Sequence, residues 1–175
     1  MKTAVLSLTA PQNLWSNNMD ISIRKATTED FGAVLNSLEM AALKLLAKGV
    51  YQWDYPWNEN ELQKQIEQGE FYIAFADEQP AGCFGLRKFE NNTFTDDNRG
   101  LYFYHLAVHP AYSGSGLGKE ICKWVQDFAK AENANIYFDC WAGNDFLKKF
   151  YTESGFEYMG DFPEEDYFVS AFKTR

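Results

Sequence analysis

A glycine-rich segment, Ser113–Gly118 (SGSGLG), is the part of the sequence best suited to chemistry, because it joins a predicted strand to a predicted amphipathic helix. Glycine lets the backbone approach a ligand closely, and unpaired amides at a helix N-terminus attract a phosphate. The segment therefore predicts an anion-binding turn, although a turn that only reverses the chain fits the same residues. Two known phosphate-binding motifs are excluded. A Walker A loop needs glycine where Ser113 stands, and a dinucleotide fingerprint needs its third glycine where Lys119 or Ile121 stands.

Hydrophobic periodicity predicts the elements that position this turn. Ile21 begins an alternating strand, apolar residues from Phe31 to Leu45 predict a helix ended by Gly49, and Leu62–Gln68 is predicted as a short helix. The other predicted elements are a hairpin of FYIAFA and AGCFGLRKF with its turn at Asp77–Pro80, the strand LYFYHLAV, a helix from Leu117, the strand ANIYFDCWA, the helix NDFLKKFYTES closed by Gly155, and the strands FEYMG and DYFVSAFK. This order predicts one α/β (α+β) domain, with a mixed sheet covered by helices on both faces.

Length, charge and cysteine content bound the function classes. A chain of 175 residues fits one domain, and 25 acidic against 16 basic residues give a net charge of −9, which opposes binding to nucleic-acid phosphates. No apolar run reaches the ~18–20 residues that span a bilayer, so no membrane partner is expected. The three cysteines fit neither a disulfide framework nor a zinc site, so we expect a cytoplasmic protein without a metal. Residues 1–18 are expected to be an extension outside the domain at 19–175.

The stretch from Leu106 to Phe156 resembles the GNAT superfamily of acetyl-CoA-dependent N-acyltransferases. Matching positions at the family's spacing are Leu106 and Val108 in the strand, Gly116 and Gly118 in the turn, and Asn144, Tyr151, Gly155 and Phe156 downstream. Ser113 is the departure, since the family usually has Arg or Gln there. The resemblance implies a twisted, mostly antiparallel sheet of six to seven strands with about four helices.

The resemblance also implies acetyl-CoA as co-substrate, and the residues that would contact it. They are Leu106, Ala107, Val108, Ser113, Gly114, Ser115, Gly116, Leu117, Gly118, Lys119, Asn144 and Tyr151. It further implies Tyr151 as the general acid, since a phenol with a pKa near ~10 can protonate a leaving thiolate whose thiol has a pKa near ~8.5. From the residues alone, a tyrosine on an amphipathic helix is more often a core residue, and Asn144 is a favoured helix N-cap.

The strand before the turn is expected to separate acceptor-facing from buried side chains. Its period of two predicts one face with Tyr102, Tyr104, Leu106 and Val108, and the other with Phe103, His105 and Ala107. Tyr102 and Tyr104 are expected to face the cleft. His105 is a candidate general base that a regular strand would point away and a bulge would re-aim; a buried, hydrogen-bonded histidine is the alternative.

Trp53, Tyr55 and Trp57 are expected to line the acceptor pocket or to cap the core. These rings could hold a cation by cation–π contact, and the net charge of −9 would attract one. Together they favour a cationic amine, on a small molecule or a peptide, as the acceptor. The sequence thus predicts an N-acetyltransferase acting by direct attack, as a monomer or homodimer. A non-catalytic acyl-CoA sensor on the same fold is the alternative.

Overall fold

The computed structural model describes residues 19–89, 94–97 and 99–175, so the extension predicted at residues 1–18 lies outside the described residues. The strands are β1 (Ile21–Lys25), β2 (Phe71–Ala76), β3 (Gln79–Lys88), β4 (Leu101–Val108), β5 (Ile136–Trp141), β6 (Glu157–Glu164) and β7 (Tyr167–Lys173). The helices are α1 (Phe31–Leu46), α2 (Glu59–Glu67), α3 (Leu117–Glu132) and α4 (Asp145–Glu153). Within this part of the chain, no helix combines the length and the apolar character needed to cross a membrane.

The strands of the described residues join one sheet in the order β1-β2-β3-β4-β5-β7-β6. β4 and β5 run parallel, whereas every other pair of neighbours is antiparallel. The prediction of a single α/β domain with a mixed, mostly antiparallel sheet is confirmed, and so is the predicted order of strands and helices.

The hairpin between β2 and β3 has a tighter turn than the sequence analysis predicted. Only Asp77 and Glu78 form the turn, with φ angles of 48° and 64°. Two successive residues with positive φ match the twist of the flanking strands, so Gln79 and Pro80 belong to β3.

The sheet separates two hydrophobic layers. α3 and α4 cover one face, in a core that includes Phe84, Phe103, Leu117, Ile121, Val125, Phe138, Tyr151, Phe156 and Phe172. α1 and α2 cover the other face over β2, β3 and β4, in a core that includes Val34, Leu38, Leu62, Ile66, Phe71, Ile73, Cys83 and Ala107. Each helix buries one apolar stripe, as amphipathic helices do, and the predicted coverage of both faces is confirmed.

Short polar residues and glycine determine where three of the helices begin. The side chain of Asn58 accepts a hydrogen bond from the Glu61 N–H at 3.1 Å, and that of Asn144 accepts one from the Leu147 N–H at 3.0 Å. Each such cap stabilises its helix by about 1 kcal/mol. α3 begins instead after Gly116, whose φ of 90° favours glycine.

Phe138 on β5 is expected to be a major contributor to stability, because it is 2% exposed and its ring contacts those of Phe103, Tyr151, Phe156 and Phe172. Phe138→Ala leaves a cavity and should lower the free energy of unfolding by ~3–5 kcal/mol. The matched control Phe146→Ala, whose side chain is 76% exposed, should change it by less than ~0.5 kcal/mol. Urea unfolding followed by circular dichroism measures both; equal losses would contradict the described core.

Candidate functional site

β4 and β5 pair with each other only at their N-terminal ends. The register joins Leu101 to Ile136 and Tyr102 to Tyr137, and the strands continue beyond these pairs without further pairing. Backbone N–H and C=O groups along this gap lack the partners that a continuous sheet supplies. An extended ligand can bond to them, so the gap between β4 and β5 is the candidate binding cleft.

A β-bulge interrupts β4 beside this gap. The register with β3 shifts between Cys83 and Gly85, so that His105 and Leu106 together lie opposite Phe84. His105 adopts a left-handed φ of 52°, which is uncommon for a residue other than glycine. The extra residue reverses the alternation of side chains along the rest of the strand.

The faces predicted from regular alternation are therefore wrong beyond the bulge. Leu106 and Val108 do not share a face with Tyr104; they pack with Phe103 in the layer of α3 and α4. His105, which a regular strand would direct away from the cleft residues, instead lies beside Tyr104, with 4.9 Å between ring centroids. The bulge thus supplies the re-aiming that the sequence analysis left open.

Two indole rings surround His105 in the layer of α1 and α2. Its ring centroid lies 5.7 Å from that of Trp53 and 5.0 Å from that of Trp57, both edge to face. Its Nδ1 atom is buried and has no hydrogen-bond partner among the described residues. Burial, with a smaller effect of the Arg87 charge, lowers the pKa of His105 to about 4, so the imidazole is neutral at pH 7.

Two tyrosine–carboxylate pairs lie on the same face of β4. The Tyr104 hydroxyl donates to Glu70 Oε2 at 2.6 Å, and the Tyr102 hydroxyl donates to Asp139 Oδ2 at 2.7 Å. The Tyr104 ring crosses β3 over Gly85, where any Cβ atom would overlap it. Burial, with the adjacent carboxylates, raises the pKa of both phenols, so they remain protonated donors.

Negative charge predominates around these tyrosines. Besides Glu70 and Asp139, Glu61 and Glu164 lie close enough for their charges to act on the two phenols. Arg87 supplies a cation, with its guanidinium 5.5 Å from the Tyr102 ring centroid and 5.0 Å from that of Tyr104. Four carboxylates against this one guanidinium favour the approach of a cation.

The glycine-rich turn presents unpaired amides at the start of α3. The N–H groups of Gly114, Gly116 and Gly118 have no acceptor among the described residues. A Cβ on Gly118 would lie 3.3 Å from the Phe150 ring and 3.8 Å from the Val108 side chain, so the turn approaches the end of β4 closely. These donors and the helix dipole form a cradle suited to an anion.

A lysine from α1 reaches this turn. Lys44 Nζ donates a hydrogen bond to Ser113 Oγ at 2.7 Å, and both residues are exposed. Sixty-nine positions separate them in the chain, so no local pattern in the sequence indicates the contact. The turn therefore has a cationic neighbour that the sequence analysis missed.

Tyr151 lies in the layer of α3 and α4, on the opposite side of the sheet from His105. Its ring centroid is 4.6 Å from that of Phe138, which follows Tyr137, the last residue of β5 that pairs with β4. Its hydroxyl makes no hydrogen bond within the described part of the chain. Burial, with smaller effects of nearby thiols, raises the pKa of Tyr151, so the phenol keeps its proton.

The three aromatic residues predicted to line the acceptor pocket are not together. Trp53 and Trp57 contact each other with centroids 5.7 Å apart and pack toward β4. Tyr55 is 47% exposed and makes no ring contact with any described residue. Of the three, only Trp53 and Trp57 contact His105.

Sequence reasoning also missed Glu70 and Asp139. Glu70 precedes β2 and Asp139 lies on β5, whereas His105, the candidate base predicted from the sequence, lies on β4. Asp139 alternates with the buried Phe138 and Cys140, so the period of two could have assigned it to the acceptor face. Nothing in the sequence near Glu70 indicates its contact with Tyr104.

Comparison with known proteins agrees with this architecture. The model of the acetyltransferase (GNAT) family matches residues 40–156. The chain belongs to the GNAT family. It is 28% identical over 145 residues to the uncharacterized N-acetyltransferase YesJ of Bacillus subtilis (strain 168), covering 77% of this chain and 81% of that protein.

Solved structures share the fold at low sequence identity. A GNAT family acetyltransferase of Listeria monocytogenes superposes with a TM-score of 0.73 at 20% identity, covering 90% of this chain and 99% of that one. The YncA protein of Salmonella typhimurium, solved with acetyl-CoA, superposes with a TM-score of 0.68 at 15% identity, covering 89% and 93%. These likenesses establish the GNAT fold of this chain.

The burial of His105 predicts its titration. In a His109→Gln variant, which leaves one imidazole, the His105 proton resonances should stay constant from pH 8 to 5 and move only toward pH 4. In the unfolded chain, His105 takes up this proton near pH ~6.5. The contribution of neutral His105 to the free energy of unfolding is therefore complete above that pH and is lost as the pH falls to about 4. NMR titration measures this; a midpoint near 6.5 would contradict the described burial.

Proposed function

We propose that the protein transfers an acetyl group from acetyl-CoA to the primary amine of a small molecule or peptide. The gap between β4 and β5 carries the proposal, because its two sides offer different chemistry. Tyr151 lies on one side with a free hydroxyl, and His105 lies on the other with the tyrosine–carboxylate pairs. A thioester in the gap meets an acid from one side and an amine from the other.

Acetyl-CoA would bind along the glycine-rich turn and the end of β4. The unpaired amides of the turn suit the pyrophosphate, and the unpaired backbone of β4 suits the pantetheine arm. Asn144 caps α4 through Oδ1, which leaves its amide NH2 group free to bond the same arm. The contacting residues are Leu106, Ala107, Val108, Ser113, Gly114, Ser115, Gly116, Leu117, Gly118, Lys119, Asn144 and Tyr151.

The reaction is a direct attack in a ternary complex. The amine first releases one proton to solvent, and its neutral nitrogen then attacks the thioester carbonyl carbon. A C–N bond forms, the nitrogen releases a second proton, and the C–S bond breaks as the intermediate collapses. Backbone N–H groups near Leu106 stabilise the oxyanion, and Tyr151 gives its proton to the departing thiolate. The raised pKa of Tyr151 keeps the proton in place until the thiolate develops.

His105 is the proposed acceptor of the proton that the amine releases. It lies on the acceptor side, and its pKa of about 4 keeps a ring nitrogen available as an acceptor at neutral pH. Because a pKa of about 4 lies far below that of a free ammonium, His105 accepts the proton only from the positively charged nitrogen of the tetrahedral intermediate, and then passes it to solvent.

The acceptor amine is proposed to be cationic. Trp53 and Trp57 would hold it by cation–π contact, Tyr102 and Tyr104 would form the floor, and Tyr55 would meet it at the exposed end of the segment. The carboxylates around the two tyrosines support this substrate class.

Gly116→Asp is expected to abolish acetyl-CoA binding, because its carboxylate would occupy and repel the pyrophosphate site. Gly49→Asp is the matched control: Gly49 also has a positive φ (73° against 90°), and a Cβ at either position meets nothing within 4 Å. Calorimetric titration should give binding for wild type and the control only. Binding retained by a folded Gly116→Asp variant would sink the cradle assignment.

Tyr151→Phe is expected to keep acetyl-CoA affinity and to lower turnover at least tenfold, about 1.4 kcal/mol in the barrier, because the thiolate loses its acid. The assay follows thiol release from acetyl-CoA across a panel of amines, with Tyr158→Phe as a control that removes another phenol hydroxyl. Unchanged turnover would remove Tyr151 from the mechanism. Binding by wild type without release for any amine would favour the acyl-CoA sensor.

A further inference from the structure

We propose that Lys44, reaching from α1, provides the pyrophosphate contact that Ser113 is too short to make. The inference rests on the proposed acetyl-CoA site. Arg or Gln at position 113 would extend a long polar side chain toward the phosphates, and serine does not. Lys44 Nζ stands 2.7 Å from Ser113 Oγ, so a cationic donor lies beside the serine that replaces the family's Arg or Gln.

The geometry leaves donors available for a ligand. An ammonium group has three N–H donors, and the bond to Ser113 uses one of them. Because the Ser113 oxygen accepts that bond, its own hydroxyl proton can point elsewhere. Both residues are exposed, as is Gly114, whose amide is unpaired in the same turn. Lys44 and Ser113 together can therefore donate to phosphate oxygens beside the backbone amides.

The charges beside the turn favour a role for this lysine. The first turn of α3 carries Lys119 and Glu120, whose charges oppose each other. Lys44 adds a positive charge that no acidic residue of that turn offsets. In a chain with a net charge of −9, a ligand that bears several phosphate charges needs a local cation to offset long-range repulsion.

The test compares Lys44→Met with Lys48→Met, which removes an exposed lysine one turn further along the chain. Calorimetric titrations use acetyl-CoA and S-acetylpantetheine, which lacks the pyrophosphate and nucleotide. Lys44→Met should weaken acetyl-CoA binding about tenfold, or about 1.4 kcal/mol, and leave S-acetylpantetheine binding within about twofold. Lys48→Met should leave both affinities within about twofold of wild type.

A compensating substitution separates ligand binding from a structural role. In the Lys44→Met background, Ser113→Arg should restore most of the acetyl-CoA affinity, since the long cation returns from the turn itself. Lys44→Gln also removes the charge but keeps a polar side chain, and it should weaken acetyl-CoA binding by a similar factor, which tests the inference if Lys44→Met does not fold; Lys44→Arg should bind as wild type does. Unchanged affinity in folded Lys44→Met, or equal weakening of both ligands, overturns the inference. Failure of wild type to bind acetyl-CoA overturns the proposed function instead, and the inference with it.

Discussion

The early end of pairing between β4 and β5 is the constraint on which the site depends. Two paired positions hold the strands together at one end, and the sheet is otherwise continuous because antiparallel ladders tie the remaining strands to their neighbours. A continuous sheet would separate Tyr151 from His105 completely. In the proposed reaction, a ligand in the gap would meet side chains from both helix layers.

The bulge in β4 gives each side of the gap its chemistry. By adding one residue opposite Phe84, it directs Leu106 and Val108 into the layer that holds Tyr151 and leaves His105 with Tyr104 on the acceptor side. The strain of a left-handed histidine and of a buried Nδ1 without a partner costs stability. Strained positions of this kind cluster at functional sites.

Local patterns predicted most of the fold, whereas the site residues named from the sequence remain predictions. Strong periodicity in α3 and the short β-rich runs predicted the element order, and the spacing from Gly116 to Tyr151 predicted the turn and the candidate acid. The bulge stays an open alternative in the sequence, because nothing in the residue types around His105 decides between a regular and a bulged strand. Lys44, Glu70 and Asp139 escaped prediction because their contacts join distant elements, and only the sheet order brings those elements together.

The most direct test of this account is a crystal structure of the protein with coenzyme A. In that complex the pyrophosphate should lie on the amides of the turn at Gly114–Gly118, and the pantetheine arm should enter the gap along β4. The thiol should then lie within hydrogen-bonding distance of the Tyr151 hydroxyl. Coenzyme A bound with its thiol outside the gap, or with Tyr151 out of reach, would contradict the central claim that the interrupted sheet is the catalytic cleft.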